Sequence, residues 1–282
     1  MRYWLKLIYI FSIFAFIKVR RLFFFNEKKM VRVIILHDLS HDEMLKLDKI
    51  VLKLSKTWDF ISPKDFIEYN LGRFSLKRRS ILFTFDDGFL SSKTAAETVL
   101  MPKGINSLFF ISPGFIDTAN DDEKSLHYLN AALKIRTEES RDELRPMNWA
   151  QVNELHEAGQ LIGSHTINHK AISKCSEDEL LIELKEGRAR LENELNGVEV
   201  TEFAFPFGHA KSVCVSSHDE SLKYYSNIYS GFRGGNYPHA KKGLIMRDAI
   251  NLKDPLFFIE VYLEGMLDAQ YKPVIEKMIR IK

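Results

Sequence analysis

The sequence has only two cysteines in 282 residues, Cys175 and Cys214. So few, so far apart, exclude a disulfide framework and a thiolate zinc motif; two free thiols are expected. An excess of either charge is also missing: 40 Lys and Arg stand against 38 Asp and Glu, a formal net charge of +2. That balance leaves no electrostatic footprint for nucleic acid, and no nucleic-acid partner is expected. Internal repeats and low-complexity linkers are absent, which excludes solenoids and long tethers. The apolar share, 45%, is that of a globular protein with a sizeable core.

Nor is there an unbroken apolar run of the roughly 20 residues that a bilayer span requires. Trp4 to Ile17 comes nearest, interrupted by Lys6 and Ser12, and Leu22-Phe23-Phe24-Phe25 extends it past Lys18, Arg20 and Arg21. No small-residue cleavage site follows, so no removable signal peptide is expected. Composition changes between Asn26 and Met30, dividing the chain into a hydrophobic membrane-associating segment, 1–29, and a folded domain, 30–282. The segment reads as a helix that spans with Lys6 and Lys18 at the two interfaces, or one that lies among the headgroups. Residues 1–25 are thus the expected contact with a membrane surface; a helix packed on the domain itself is the alternative. Lys18, Arg20, Arg21, Lys28 and Lys29 outnumber the basic residues before the stretch. The positive-inside rule then predicts a bacterial inner-membrane location with the domain on the cytoplasmic side.

From Val31 onward strands and helices alternate. Apolar runs at Val31–Leu36, Ser80–Phe83, Ser107–Ile111 and around Leu161 read as buried strands. Helices are expected over Glu43–Leu54, Pro63–Tyr69, Ser91–Met101 and Asn148–Ala158. Another starts at the capping-box signal Ser176-Glu177-Asp178-Glu179 and runs to about Leu195, where Asn196-Gly197 stops it. Such alternation means an α/β barrel or sheet.

Two polar motifs end apolar runs. Thr84-Phe85-Asp86-Asp87-Gly88 follows Ser80-Ile81-Leu82-Phe83, and Ser164-His165-Thr166-Ile167-Asn168-His169 follows Gln160-Leu161-Ile162-Gly163. Acidic and imidazole groups at strand ends lie on the rim where α/β enzymes build their sites. One Asp of the pair, with two His, makes a three-ligand set for zinc and leaves a position open for water. The other Asp is placed to take a proton from that water. Asp-Asp-Gly alone is a turn signal, and a His pair alone is a surface or capping pair; both standing behind buried strands is what argues for a site. Imidazole and carboxylate donors suit zinc, and other divalent metals accept the same set.

With its flanking segments the chain resembles the polysaccharide deacetylase family (NodB homology, carbohydrate esterase family four) from about Val31 to about Arg247. Val33-Ile34-Ile35-Leu36-His37-Asp38 resembles the family's opening strand, and Ile61-Ser62-Pro63-Lys64-Asp65 its segment before a helix. Thr84 to Gly88 resembles the first motif, and Gly104 to Phe110 the second core strand. Met147-Asn148-Trp149 with Leu155 and Gly159 resembles the helix before the histidine motif, which His165 to His169 match. Phe203-Ala204-Phe205-Pro206-Phe207-Gly208 resembles the third motif in its Phe-Ala-Tyr-Pro-x-Gly version. The resemblance implies a distorted, incomplete (β/α) barrel, here preceded by an apolar anchor helix. It implies Asp86 as catalytic base and Asp87, His165 and His169 as ligands of a divalent metal, most often Zn2+. It implies that the Phe207 or Gly208 backbone N–H donates to the tetrahedral oxyanion of the substrate. The activity implied is hydrolysis of a carbon–nitrogen amide bond: removal of an N-acetyl group from an amino sugar of a cell-envelope glycan or its lipid-linked precursor, these being the implied partners.

Two departures from the family pattern matter. Many members carry an Arg in the third motif, where this chain has Ala204, to orient the base. Arg247, in Leu244-Ile245-Met246-Arg247, resembles a late Pro-Arg-Ile segment of members without it and is the expected replacement cation. No Leu-x-His motif near the C-terminus supplies the catalytic acid; His37 is the first substitute, followed by His209 and His239. Between two core strands, Asp117–Pro146 is charged, with a helix expected over Glu123–Ile135, and should form a lid or substrate wall. Phe115, Trp149, Phe207 and Tyr237 are the candidate stacking surfaces for sugar rings. Two rival readings keep the fold: a deformylase of a lipid-linked amino sugar, and a non-catalytic glycan-binding protein.

Overall fold

Every residue of β1 (Val31–Leu36) and of β3 (Ser80–Phe85) is buried, as strands covered on both faces must be. They pair in parallel from Val31↔Ser80 to Leu36↔Phe85. The computed structural model describes residues 29–138, 141–238 and 243–280. Short β2 (Asp59–Phe60) lies beside β3, and the sheet is completed by β4 (Leu108–Ile111), β5 (Leu161–Ser164), β6 (Glu202–Ala204), β7 (Asn227–Tyr229), β8 (Leu244–Ile245) and β9 (Asp248–Ala249). All of these strands pair in parallel, in the order β8-β7-β6-β5-β4-β3-β1-β9. The two ends of that order, β8 and β9, are separated in sequence only by Met246 and Arg247. The sheet therefore curls until its ends meet through those two residues. This is the distorted, incomplete (β/α) barrel, joined at its seam by the chain rather than by a ladder.

Period-two alternation sorts the side chains. Val33, Leu82, Leu108, Phe110, Ala204, Tyr229 and Ile245 form the interior cluster. Ile34, Phe83, Phe109, Ile162, Phe203, Ile228 and Leu244 face outward into the larger core under the helices. Asp86 continues the inward parity of Leu82, His165 that of Leu161, and Arg247 that of Ile245, so all three point into the barrel mouth.

The helices start where side chains cap them. Ser40 and Glu43 form a capping box for His41–Leu54, Ser62 caps Pro63–Asn70, and Asn148 with Gln151 caps Trp149–Glu157. The capping box at Ser176 is present, but its helix is not one regular run: Glu177–Leu181 passes through a wider turn, Ile182–Glu186, into Gly187–Glu194. Cys175 and Cys214 are free thiols.

The interior is tight at Gly163. A Cβ there would lie 2.8 Å from two ring carbons of Phe110 and 3.0 Å from the Glu202 carbonyl oxygen. Gly163→Ala is expected to cost about 1–3 kcal/mol by overpacking, read as a lower urea midpoint at unchanged slope. An unshifted midpoint would mean that the barrel interior yields.

One expectation is corrected. Among the described residues no helix is long and apolar enough to cross a membrane, so the predicted inner-membrane location with a cytoplasmic domain is not supported. His41–Leu54, at 14 residues the longest regular α-helical run among them, is about 21 Å long and exposes Asp42 and Lys49. The apolar segment read as an anchor falls on residues 1–28, outside the described residues.

Candidate metal centre and active site

The site stands on the carboxyl ends of the parallel strands, where loops are free to vary over a rigid sheet. Asp86 and Asp87 follow β3, His165 follows β5, Phe205 to Gly208 follow β6, and Arg247 follows β8. Asp86, Asp87, His165, His169 and Arg247 are all buried, none more than 6% exposed.

Backbone strain is concentrated here. Six non-glycine residues among those described have positive φ, and four belong to the site: Asp87 at 75°, Thr166 at 62°, His169 at 54° and Phe207 at 63°. Left-handed conformations cost side-chain-bearing residues on the order of 1–3 kcal/mol each and persist where the surroundings over-determine them. Consecutive residues of a strand point to opposite faces; the left-handed Asp87 instead brings its carboxylate to the same His165 Nε2 that Asp86 approaches, at 3.4 and 3.9 Å. Gly208, at φ 54°, lies against Gly231 so closely that a Cβ would meet the Gly231 nitrogen at 2.7 Å.

Asp87, His165 and His169 each present one ligand atom, and these atoms lie within 4.8 Å of one another. The Asp87 Oδ1 is 3.2 Å from His169 Nε2 and 3.4 Å from His165 Nε2. The other ring nitrogens face backbone carbonyls: His165 Nδ1 is 2.8 Å from the Ala204 oxygen, and His169 Nδ1 is 3.3 Å from that of Ala132. A carbonyl can only accept, so each Nδ1 donates, and each imidazole in its neutral form turns a lone pair toward Asp87. Buried Asp87 Oδ1 has no hydrogen-bond donor. Three converging acceptors, one an orphaned carboxylate oxygen, repel one another unless a cation stands between them. The donor set therefore fits a divalent metal. Without a metal, protons take its place: burial pushes the Asp87 carboxyl up, but the imidazoles in their protonated form outweigh it and hold it well below the usual carboxylate range. Burial likewise opposes the charged form of His165, while Asp86 and Asp87 pull its pKa above the ordinary imidazole value.

Asp86 is held differently. Arg247 Nη1 donates to its Oδ1 at 2.7 Å and Nη2 to its Oδ2 at 2.9 Å, a two-point clamp. The guanidinium is itself fixed by Nε donating to the Ser230 carbonyl at 3.0 Å, by Thr84 Oγ1 at 3.3 Å, and by the Phe110 ring 5.0 Å beneath it. Burial pushes the Asp86 carboxyl up; Arg247, then His165, overcome that and hold it below its ordinary value. Asp86 is thus a carboxylate at neutral pH.

A cavity of about 470 Å³ opens over these groups and is also lined by His37, Phe207 and Gly208. His37 is exposed at its mouth. His209 faces a neighbouring cavity instead, and His239 lies outside the described residues. Phe207, 39% exposed, rests edge-on against His169 with ring centroids 4.7 Å apart. The other candidate stacking aromatics have other partners: Phe115 is core, Trp149 donates to Asp117, and the Tyr237 hydroxyl meets the Met30 sulfur. From the inserted segment, Leu133 and Ile135 form part of the cavity wall. Its helix, Asp122–Ala131, brings the Ala132 carbonyl to His169. That carbonyl and the one of Ser230 carry no sequence signal, because backbone groups look alike at every position.

Residues 75–224 match the family model described as polysaccharide deacetylase. No curated protein sequence matches the chain. Among solved structures, the Streptococcus pyogenes deacetylase PplD in complex with acetate superposes with a TM-score of 0.64 at 16% identity, covering 84% of this chain and 98% of its own. A de-N-acetylase from Aggregatibacter actinomycetemcomitans gives 0.66 at 15% identity, over 83% of this chain and 100% of its own. IcaB from Ammonifex degensii gives 0.62 at 20% identity, over 84% and 97%. At these identities the structural likeness is one of fold.

Proposed function

The chain belongs to the polysaccharide deacetylase family, whose members hydrolyse amide bonds, and on that premise we propose that residues 30–282 form a metal-dependent N-deacetylase acting on an amino sugar of a cell-envelope glycan. What supports this most is one juxtaposition: Asp87, His165 and His169 converge within 4.8 Å, beside an Asp86 carboxylate that Arg247 clamps at 2.7 and 2.9 Å. In this reading Asp87, His165 and His169 hold the metal. Zinc, when bound, polarises a carbonyl and lowers the pKa of water to roughly 7.

The chain's own groups do the rest. Asp86 takes the proton of the attacking water, and Arg247 positions Asp86. The Phe207 or Gly208 N–H faces the oxygen on which charge develops. His37, at the cavity mouth, is the group we assign to protonate the departing sugar nitrogen as the carbon–nitrogen bond breaks, leaving acetate and a free amine. The finer alternatives of substrate, a polymer or a lipid-linked sugar, and an N-formyl in place of an N-acetyl group, use the same residues.

The test is acetate or formate release from N-acylated amino-sugar oligomers by zinc-loaded protein, with Asp86→Asn beside it. Wild-type activity is expected, and a loss of about 10²–10⁴-fold in the variant. A folded, zinc-loaded chain that releases no acid from any of them, or an Asp86→Asn variant as active as wild type, would leave a non-catalytic glycan-binding protein as the better reading.

A further inference from the structure

A second cavity, of about 940 Å³, adjoins the catalytic one and shares His169 and Phe207 with it. Its size suits a small-molecule subsite. Its charge is opposite. The catalytic cavity carries Asp38, Glu43, Asp86 and Asp87 against Arg247. The adjoining one carries Lys134, Lys170, Lys174 and Lys211 and a single carboxylate, Glu179. Glu179 pairs with Lys170 at 3.0 Å. Among the described residues no carboxylate pairs with Lys134, whose ammonium donates to the Ala131 carbonyl, or with Lys174 or Lys211, so three of the lining lysines keep their charge uncompensated.

These lysines are not scattered. Lys170 follows His169 directly, Lys174 ends the short turn Ile172–Lys174 just after it, Lys211 follows the Phe207-Gly208 turn, and Lys134 follows Ala132, whose carbonyl holds His169. The segments that shape the metal site therefore also carry the cations, on one side of it only. A divalent ion offsets two of the four carboxylates and Arg247 a third, so the catalytic cavity stays formally negative and the adjoining one positive; a ligand seated over the metal and extending past His169 and Phe207 passes from one to the other. An anion on it is repelled in one direction and attracted in the other.

We propose that the second cavity is a subsite for an anionic group, carboxylate or phosphate, borne by the substrate next to the sugar that loses its acyl group. This rests on the deacetylase reading and names the substrate class: an anionic glycan or glycoconjugate, oriented by its charge. Uronic acids and sugar phosphates share this chemistry.

The experiment is calorimetric titration of zinc-loaded full-length protein with three probes: a hyaluronan hexasaccharide, UDP-N-acetylglucosamine and neutral chitohexaose. Kd and kcat/KM for acetate release are compared with those of Lys174→Glu/Lys211→Glu and of the milder Lys174→Gln/Lys211→Gln. At least one anionic probe is expected to bind about tenfold tighter than the neutral one at low salt. That preference should shrink to under about twofold in the Glu variant and in 0.5 M salt, where screening acts within a few ångströms, with the Gln variant between. The uronate and nucleotide arms tell the two sources apart. Equal affinity for neutral and anionic probes, or a preference that survives in both folded variants, overturns the proposal. Anion preference without acetate release would remove the catalytic reading and leave the subsite. Acetate release without anion preference would do the reverse.

Discussion

Arg247→Ala is expected to lower kcat/KM about 100-fold and to remove about 3–5 kcal/mol of stability. Both follow from one contact. Asp86 is 3% exposed and Arg247 1%, and the two-point clamp between them compensates a buried carboxylate. Deleting one partner of a buried ion pair leaves the other charge uncompensated, which is where the 3–5 kcal/mol arises. The catalytic loss has a separate cause. The guanidinium fixes both oxygens of Asp86, and a base displaced by about 1 Å costs on the order of 100-fold. Arg247→Lys separates the two effects. An ammonium keeps the charge but not the fork, so most of the stability should return and less of the rate. Asp86→Asn/Arg247→Met supplies the control, because removing both charges from an apolar site is far milder than removing one. Urea unfolding and steady-state kinetics on the four proteins decide the matter. A single Arg247→Ala variant as stable as wild type would show that water already reaches Asp86, and would remove the clamp as a cause of its placement.

Arg247 also shows how far the sequence could be read. Its position near Asp86 was legible only through likeness to a family segment, because 161 residues separate the pair and β8 and β9 on either side have two residues each. Strands that short have no periodicity to detect. The sheet order explains the contact afterwards: the ends of a curled sheet meet at Met246-Arg247. Asp86, Asp87, His165 and His169 were legible because each follows an apolar run long enough to read as a strand. The first helix starts two residues before the Glu43 that apolar spacing predicts, because the Ser40 capping box and not an apolar residue sets the boundary. The wider turn at Ile182–Glu186 was invisible, since it leaves the same apolar spacing on average. Aromaticity alone cannot tell a sugar platform from a packed ring: Phe115 is core and the Trp149 indole donates to Asp117. The second cavity had no linear signature at all: its lysines come from three separate loops, and only the fold brings them to one side of His169.

Chelator treatment and zinc titration should give one tight site per chain, and His169→Ala should weaken it by about 100-fold or more. That is at or beyond the roughly 10–100-fold that follows loss of a single outer-shell partner, because His169 would be a direct ligand. The reason to expect tight binding is the repulsion described above: two imidazole lone pairs and an orphaned, buried carboxylate oxygen face one point, and in a buried site water cannot relieve them cheaply. The same reasoning predicts a stability gain from zinc that is large in one protein and small in the other. Zinc at about a thousandfold excess over its Kd should stabilise the wild type by about 4 kcal/mol. Removing His169 should take away most of that gain. The wild type rising sharply in melting temperature on adding zinc, with His169→Ala rising little, is the expected pair of curves. If instead wild-type protein, folded and stripped, shows no saturable zinc uptake and no rise in melting temperature, the three side chains are held together by protons alone, and hydrolysis assisted by a metal is no longer available to this site.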